Sequence, residues 1–438
     1  MLGESKSSIS FPKGYVPKAL SSVEELDVPV GLIEGIILKR VSRSGTESVF
    51  SLSQALGLTY ELANTIVSRL LEADELGGGE ASLNDMSVVV TSKGRNRTAV
   101  ETERSTYASF APVSLDSYAA MVQCQTDRSD VTMEILKGAF TDLIVSEELL
   151  NNLGPCMTND GATLLFGPPG TGKTSVAERM VRVYKDAVFI PYVILAQGEL
   201  VKIFDPAIHV PIEPQPEGID SRWVYCQRPA VVVGGELSER GVELQLDPIS
   251  SVYTAPVQIL ANNGLWVVDD FGRQRISEIE LMNRLIIPFS RAVDILTLNN
   301  GTPFMVPFDV KTVFSTNMDP RQLGGGDEAF LRRLPNKCEI GEIDDRAFDQ
   351  ILSIMTKLKE VNCHREVADY MKTVLRNHGS GDLRPYFPGD IVSLFVSIAK
   401  FRNLPMVLTK ETVDIAVEAY FAHEHIEKTW VTAAGGNE

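Results

Sequence analysis

Ala162-Thr163-Leu164-Leu165-Phe166-Gly167-Pro168-Pro169-Gly170-Thr171-Gly172-Lys173-Thr174-Ser175 is the stretch on which the fold turns. The apolar run Ala162 to Phe166 predicts a buried strand. Gly167 to Thr174 then follow the pattern Gly-x-x-x-x-Gly-Lys-Thr, and a helix is expected to open at their end. In that setting the glycines let main-chain N–H groups turn inward around phosphate oxygens, and the helix N-terminus adds a favourable dipole. Lys173 reaches the terminal phosphates and Thr174 ligates magnesium. Gly167, Pro168, Pro169, Gly170, Thr171, Gly172, Lys173, Thr174 and Ser175 are therefore the candidate nucleotide-binding residues.

A phosphate loop needs a metal-holding acid at the end of a second buried strand. Leu265-Trp266-Val267-Val268-Asp269-Asp270 supplies it. Asp269 is the expected metal-side acid, and Asp270 stands where a second carboxylate orients or deprotonates an attacking water. The bland alternative is a strand that ends in an acidic turn. Phe271-Gly272 completes an Asp-Phe-Gly of protein-kinase type, but no His-Arg-Asp loop precedes it, which removes the kinase reading. Val313-Phe314-Ser315-Thr316-Asn317 ends a further apolar run in an amide able to touch both a terminal phosphate and the water; such an Asn is otherwise a turn former. Ala329-Phe330-Leu331-Arg332-Arg333-Leu334 places two guanidiniums at a helix end, where salt-bridged or solvated arginines are the alternative.

In this order, the loop, the strand ending Asp-Asp, the strand ending in Asn and Phe-Leu-Arg-Arg resemble Walker A, Walker B, sensor 1 and the arginine finger of the AAA+ superfamily. The match covers roughly residues 131 to 430. The Asn300-Gly301 hairpin before the sensor strand, and the insertion before Tyr253 to Asn263, resemble the branch of MoxR-type ATPases and magnesium chelatases. The wording from Phe204-Asp205-Pro206 through Asp270-Phe271-Gly272-Arg273-Gln274 to Arg333 is similar to a bacterial group of chaperone-like ATPases linked with tight-adherence (Flp) pilus assembly. The resemblance implies ATP and Mg2+ as cofactors and ATP hydrolysis as the activity. It also implies a homo-oligomeric ring, usually a hexamer, and an unnamed protein client. In such a ring Arg333, or Arg332 beside it, reaches the neighbour's nucleotide. An arginine supplied in trans is worth about 10³ to 10⁵ in rate.

Two positions depart from the family pattern. Asp270 stands where much of the superfamily has Glu, which retracts the carboxylate by about 1.5 Å, one C–C bond. A misplacement of about 1 Å costs on the order of 100-fold, so slow hydrolysis is expected unless the backbone compensates. In Leu383-Arg384-Pro385-Tyr386-Phe387-Pro388-Gly389-Asp390-Ile391, Gly389 occupies the place of a sensor 2 arginine, with Arg384 as the candidate substitute.

Short apolar runs alternating with helical stretches around the loop predict a parallel sheet in an α/β layer fold. The expected strands are Ala162 to Phe166, Ala187 to Ile190, Leu265 to Val268, Thr312 to Ser315 and Lys337 to Ile340. Two hairpin insertions are expected, one pairing Ala230 to Val233 with Val242 to Leu246, the other pairing Ile295 to Leu298 with Phe304 to Val306 across Asn300-Gly301. The fold class expected is thus an α/β P-loop AAA+ core of five parallel strands with hairpin insertions, a helical C-terminal lid and an N-terminal winged-helix-like domain. The divisions are a leader over 1–28, the winged-helix-like domain over 29–105, and a connector over 106–130 with no identifiable chemistry. The nucleotide-binding domain spans 131–343, the lid 344–430 and a tail 431–438. Ile135 to Leu153 is expected as one helix leading into the central domain.

At 438 residues, 44% hydrophobic and 23% charged, the composition is that of a globular protein of several packed units. The net charge of −17 argues against the whole molecule as a phosphate-backbone binder. Residues 59 to 75, the recognition-helix region, set Glu61, Glu72, Asp74 and Glu75 against Arg69, which disfavours DNA; Lys93, Arg95 and Arg97 form the one local basic cluster. Five scattered cysteines suggest neither disulfides nor zinc, and no apolar run is long enough for a signal peptide or a membrane span, so a cytoplasmic location is expected. His423 and His425 are too close in sequence to share a ligand on a helix. His209, Trp223, Tyr225 and Cys226 read equally as a small core or a substrate-gripping surface.

Overall fold

The computed structural model describes residues 14–82, 85–126, 131–326, 331–378 and 381–421. Its main sheet has five strands in the order Ala230–Val233, Gly264–Val268, Val310–Thr316, Thr163–Phe166 and Asn336–Glu339. The first two are parallel, with Val231 opposite Trp266. The last two are also parallel, with Leu165 opposite Cys338. Gly264–Val268 is buried along its whole length, which is why it reads as a continuous apolar run. With the helical C-terminal region and the N-terminal α/β body, this is the α/β layer arrangement expected of a P-loop core.

One expected strand is replaced by another. Ala187–Pro191 lies outside the main sheet and pairs antiparallel with Trp223–Gln227. Ala230–Val233, expected in an inserted hairpin, is the edge strand of the main sheet. Both are short apolar runs, and periodicity does not name a partner. Backbone proximity does: a Cβ on Gly264 would lie 2.1 Å from the Pro229 carbonyl oxygen, so only glycine lets these two strands begin side by side. The second expected hairpin is present, with Val293–Thr297 and Pro303–Pro307 antiparallel across Asn300-Gly301.

The chain forms two compact units, 1–129 with 184–313 and 130–183 with 314–438, the division falling inside Val310–Thr316. The first unit opens with helices Val30–Ser44, Val49–Leu56 and Tyr60–Glu72, followed by the antiparallel strands Leu76–Ser82 and Asp85–Val90. This is the winged-helix order expected. Thr59 caps the third helix, its hydroxyl accepting from the Leu62 N–H at 3.3 Å. A further helix, Ser92–Arg104, carries the basic cluster. Its Arg97 is bound by Glu34 at 3.0 Å and Glu75 at 2.5 Å, so that guanidinium serves packing within the unit.

The expected connector is structured. Val113–Ser114 joins a second five-stranded sheet beside Val193–Ala196, and Leu115–Cys124 is a helix. Tyr118, Met121 and Val122 share one core with Trp223, Cys226, Ile259, Leu296 and Phe304. A two-residue strand and a half-polar helix leave too little periodicity to be seen in sequence. Trp223, Cys226 and His209 are buried and Tyr225 is half-buried against the same core, the first of the two readings offered for them.

Three chain segments meet on one cation. Arg222, 3% exposed, donates to both Asp220 oxygens, to Asp27 at 2.8 Å and to the Pro112 carbonyl at 2.9 Å. Burial opposes the charge on Arg222, but Asp220 and Asp27 outweigh it and hold its pKa above the ordinary value. Asp27 is likewise desolvated, yet Arg222 and the Ser114 and Ser117 hydrogen bonds hold it below the usual carboxylate range. Removing one partner of such a cluster leaves uncompensated buried charge. Arg222→Ala is expected to cost about 3–5 kcal/mol in urea unfolding of the full chain.

His209 gives this unit a pH dependence. Its Nδ1 accepts from the Asp205 N–H at 2.9 Å, so Nε2 carries the proton and donates to the Leu260 carbonyl at 2.8 Å. Burial depresses its pKa below 6.5. The unfolded chain therefore binds this proton at higher pH than the folded one. The stabilisation is complete above about pH 6.5 and is lost as pH falls through the depressed folded value. Thermal melts should show wild type losing more stability than His209→Gln between pH 7 and 5.

In the second unit the expected single helix is two, Met133–Ala139 and Glu147–Thr158, and the second runs through Gly154-Pro155. The helical C-terminal region comprises Asp345–Leu358, Arg365–Arg376, Phe387–Arg402 and a helix over 410–421. These bury Phe348, Met371, Leu375, Ile391, Phe395 and Val413 together. His423 and His425 lie outside the described residues. No helix among the described residues is long and apolar enough to cross a membrane.

Candidate functional site: the phosphate loop and the acid turn

Thr163–Phe166 delivers the chain to Gly167, whose φ of +146° starts the loop. A Cβ there would lie 2.2 Å from the Ile340 carbonyl oxygen, whose own N–H binds the Phe166 carbonyl at 2.8 Å. Gly170 at φ +77° and Gly172 at φ +90° supply the other left-handed positions that wrap the backbone around a centre. Gly172 caps helix Lys173–Met180, and its carbonyl accepts from the Val176 N–H at 2.9 Å. The Thr171 hydroxyl braces the loop from within by donating to the Pro168 carbonyl at 3.0 Å. Lys173 is buried, and its ammonium donates to the Gly167 and Pro168 carbonyls at 3.0 and 2.8 Å. The cation is thus held inside the ring of loop atoms, beside the first turn of the helix. Thr174 and Ser175 follow on that turn, both half-buried.

The C-terminal region of the same unit touches the loop. Arg384 donates from Nη1 to the Pro169 carbonyl at 3.1 Å and to the Tyr386 hydroxyl at 3.3 Å. The Tyr386 ring covers Gly170 so closely that a Cβ there would lie 2.0 Å from Cε1. Sequence reasoning selected Arg384 and missed Tyr386; the only available signal was an aromatic residue just before helix Phe387–Arg402. Gly389 lies in the first turn of that helix, where a Cβ would meet only the flexible end of Met355 at 3.3 Å.

In the first unit, Asp269 extends the acid strand by one ladder bond, its N–H donating to the Val233 carbonyl at 2.8 Å. Asp270 then takes φ +49°, a left-handed conformation that Asp adopts far more readily than most residues. Gly272 follows at φ +101°, and the Arg273 N–H closes a turn on the Asp270 carbonyl at 3.0 Å. Phe271 between them is 1% exposed. Asp269 is half-buried and Asp270 is exposed. The short carboxylate at 270 thus accompanies a special backbone, a feature that residue identity alone did not reveal.

Back in the second unit, Asn317 directly follows Val310–Thr316, and the Met318 N–H donates to the Thr316 hydroxyl at 3.1 Å. Arg332 is exposed and Arg333 half-exposed on a short helical turn. Lys337 steadies that turn by donating to the Leu331 and Leu334 carbonyls at 3.2 and 2.6 Å. Ala329 and Phe330 lie outside the described residues.

A family model described as "Domain of unknown function (DUF8689)" matches residues 344–419, the helical C-terminal region. No curated protein matches the chain. Among solved structures, NtrX from Brucella abortus aligns with a TM-score of 0.41 at 12% identity, over 63% of this chain and 55% of that one. The ATP complex of the same NtrX gives 0.40 at 16% identity, over 68% and 64%. The P216G mutant of Thermotoga maritima RuvB gives 0.39 at 12%, over 64% and 72%. This chain spans little more than half of the first of these.

The contact between Gly170 and Tyr386 has two separable components. Gly170→Ala adds a left-handed penalty of about 1–2 kcal/mol and a clash with the ring. Tyr386→Ala in the same chain should recover the clash but not the backbone penalty. Denaturant unfolding of the two single variants and the double variant, read as a cycle, checks this.

Proposed function

We propose that this chain binds ATP in the Gly167–Thr174 loop, hydrolyses it, and works as a homo-oligomeric ring that remodels a protein client. The observation that carries the reading is the loop itself: left-handed glycines between a buried strand and a helix, closed around the buried Lys173 ammonium. A triphosphate offers that ammonium and the first-turn N–H groups charged oxygens in exchange for neutral carbonyls.

Thr174 and Asp269 offer a hydroxyl and a carboxylate, hard oxygen donors of the kind Mg2+ selects. They would hold the ion, which neutralises charge on the phosphate oxygens when bound. Asn317 orients a water and Asp270 acts as its base. The water oxygen bonds to the terminal phosphorus as the bond to the bridging oxygen breaks, leaving the electron pair on ADP. The water proton passes to Asp270 and then to solvent. Arg333, with Arg332 beside it, stabilises the developing charge from a neighbouring subunit, and Arg384 acts from the lid side in place of a sensor 2 arginine.

The hairpin supports a protein client, since Ile295 and Met305 stand opposite one another across it and are 39% and 62% exposed. A DNA client gains no such support, because Arg97 of the basic cluster is taken up by Glu34 and Glu75. The pilus-linked group remains the narrower form of this proposal. A second reading, an ATP-dependent switch with little turnover, draws on Asp270 in place of Glu.

Lys173→Ala is expected to abolish both phosphate release and binding of a fluorescent ATP analogue. Asp270→Asn, whose amide tolerates the left-handed backbone equally well, should retain binding and lose turnover by at least about 100-fold. Equal phosphate release by wild type and Lys173→Ala would overturn the assignment. Ring assembly with ATP but without phosphate release would select the switch.

A further inference from the structure

The Gln274 side chain spans the acid turn. Its Nε2 donates to the Asp269 carbonyl at 2.7 Å and to the Asp270 carbonyl at 3.3 Å. Its Oε1 accepts from the Gly272 N–H at 2.9 Å. One carboxamide thus binds the main chain on both sides of Asp270 and fixes the residue at its left-handed φ of +49°. Gln274 is itself anchored. Phe271 before it is buried, and the Arg275 and Ile276 N–H groups after it donate to the Leu237 carbonyl at 2.9 and 3.3 Å. Two residues later, helix Glu278–Arg284 begins in a capping box between Ser277 and Glu280.

We infer that Gln274 is a positioning residue for hydrolysis, setting the direction of the Asp270 carboxylate by clamping its backbone. The inference rests on the ATPase reading and deepens it. A carboxylate's reach is set by side-chain length and by the backbone that launches it. Here the side chain is short and the backbone is the element under control. The clamp requires a group that donates and accepts from one planar end, which a carboxamide does and an ionised carboxylate does not. Glu at 274 keeps the acceptor for Gly272, loses the donor for the Asp269 and Asp270 carbonyls, and adds charge beside the acid pair.

The test compares wild type, Gln274→Ala and Gln274→Glu as full-length chains. Both variants should lower kcat about 10- to 100-fold while KM for ATP, binding of the fluorescent analogue and the melting temperature stay near wild type. Amide hydrogen exchange over residues 269–273 should be faster in both variants, a readout that does not depend on turnover. Unchanged kcat in both variants overturns the inference, as does unchanged exchange or a fall in kcat matched by loss of ATP binding and folding. Absence of phosphate release in wild type would sink the ATPase reading instead. In that event the exchange arm still decides whether Gln274 clamps the turn.

Discussion

A strand of a parallel sheet hands its last residues to a short turn, and the constraint that governs this protein is how the backbone leaves that strand. After Thr163–Phe166 the chain departs through left-handed glycines, which aim main-chain groups at a common centre. After Gly264–Val268 it departs through a left-handed aspartate closed by Gln274. In both places side chains are positioned by φ values that most residues avoid. The sheet supplies the rigidity against which these turns are held.

The first unit is assembled around buried polar groups as much as around apolar ones. Arg222 gathers Asp27, Asp220 and the Pro112 carbonyl. Arg228 does the same for Asp186, the Asn263 carbonyl and the Gln125 carbonyl. Asn262 and Asn263, immediately before the acid strand, bind Tyr118 and the Val122 carbonyl of helix Leu115–Cys124. Segments far apart in sequence are thereby fixed to the base of the strand that ends in Asp269. These clusters tie together segments distant in sequence through polar contacts.

In the second unit the helical region meets the loop where Tyr386 lies on Gly170 and Arg384 donates to the Pro169 carbonyl. Gly170 is glycine for two reasons at once, its φ and the ring above it.

The sequence by itself determined the phosphate loop, the acid pair, the winged-helix order, the Asn300-Gly301 hairpin and the C-terminal helices. Each of these is written in local spacing: glycines at fixed offsets, apolar residues at period 3.6, a turn dipeptide between largely apolar runs. Only the tertiary structure decided that Ala230–Val233 rather than Ala187–Pro191 borders the acid strand, because strand partners are chosen by backbone approach at Gly264 and not by composition. It also decided the roles of Val113–Ser114, Tyr386 and Gln274. Their meaning lies in contacts with residues that sequence distance or backbone conformation hides, and the left-handed φ of Asp270 belongs to the same class: it exists only once the turn around it has closed.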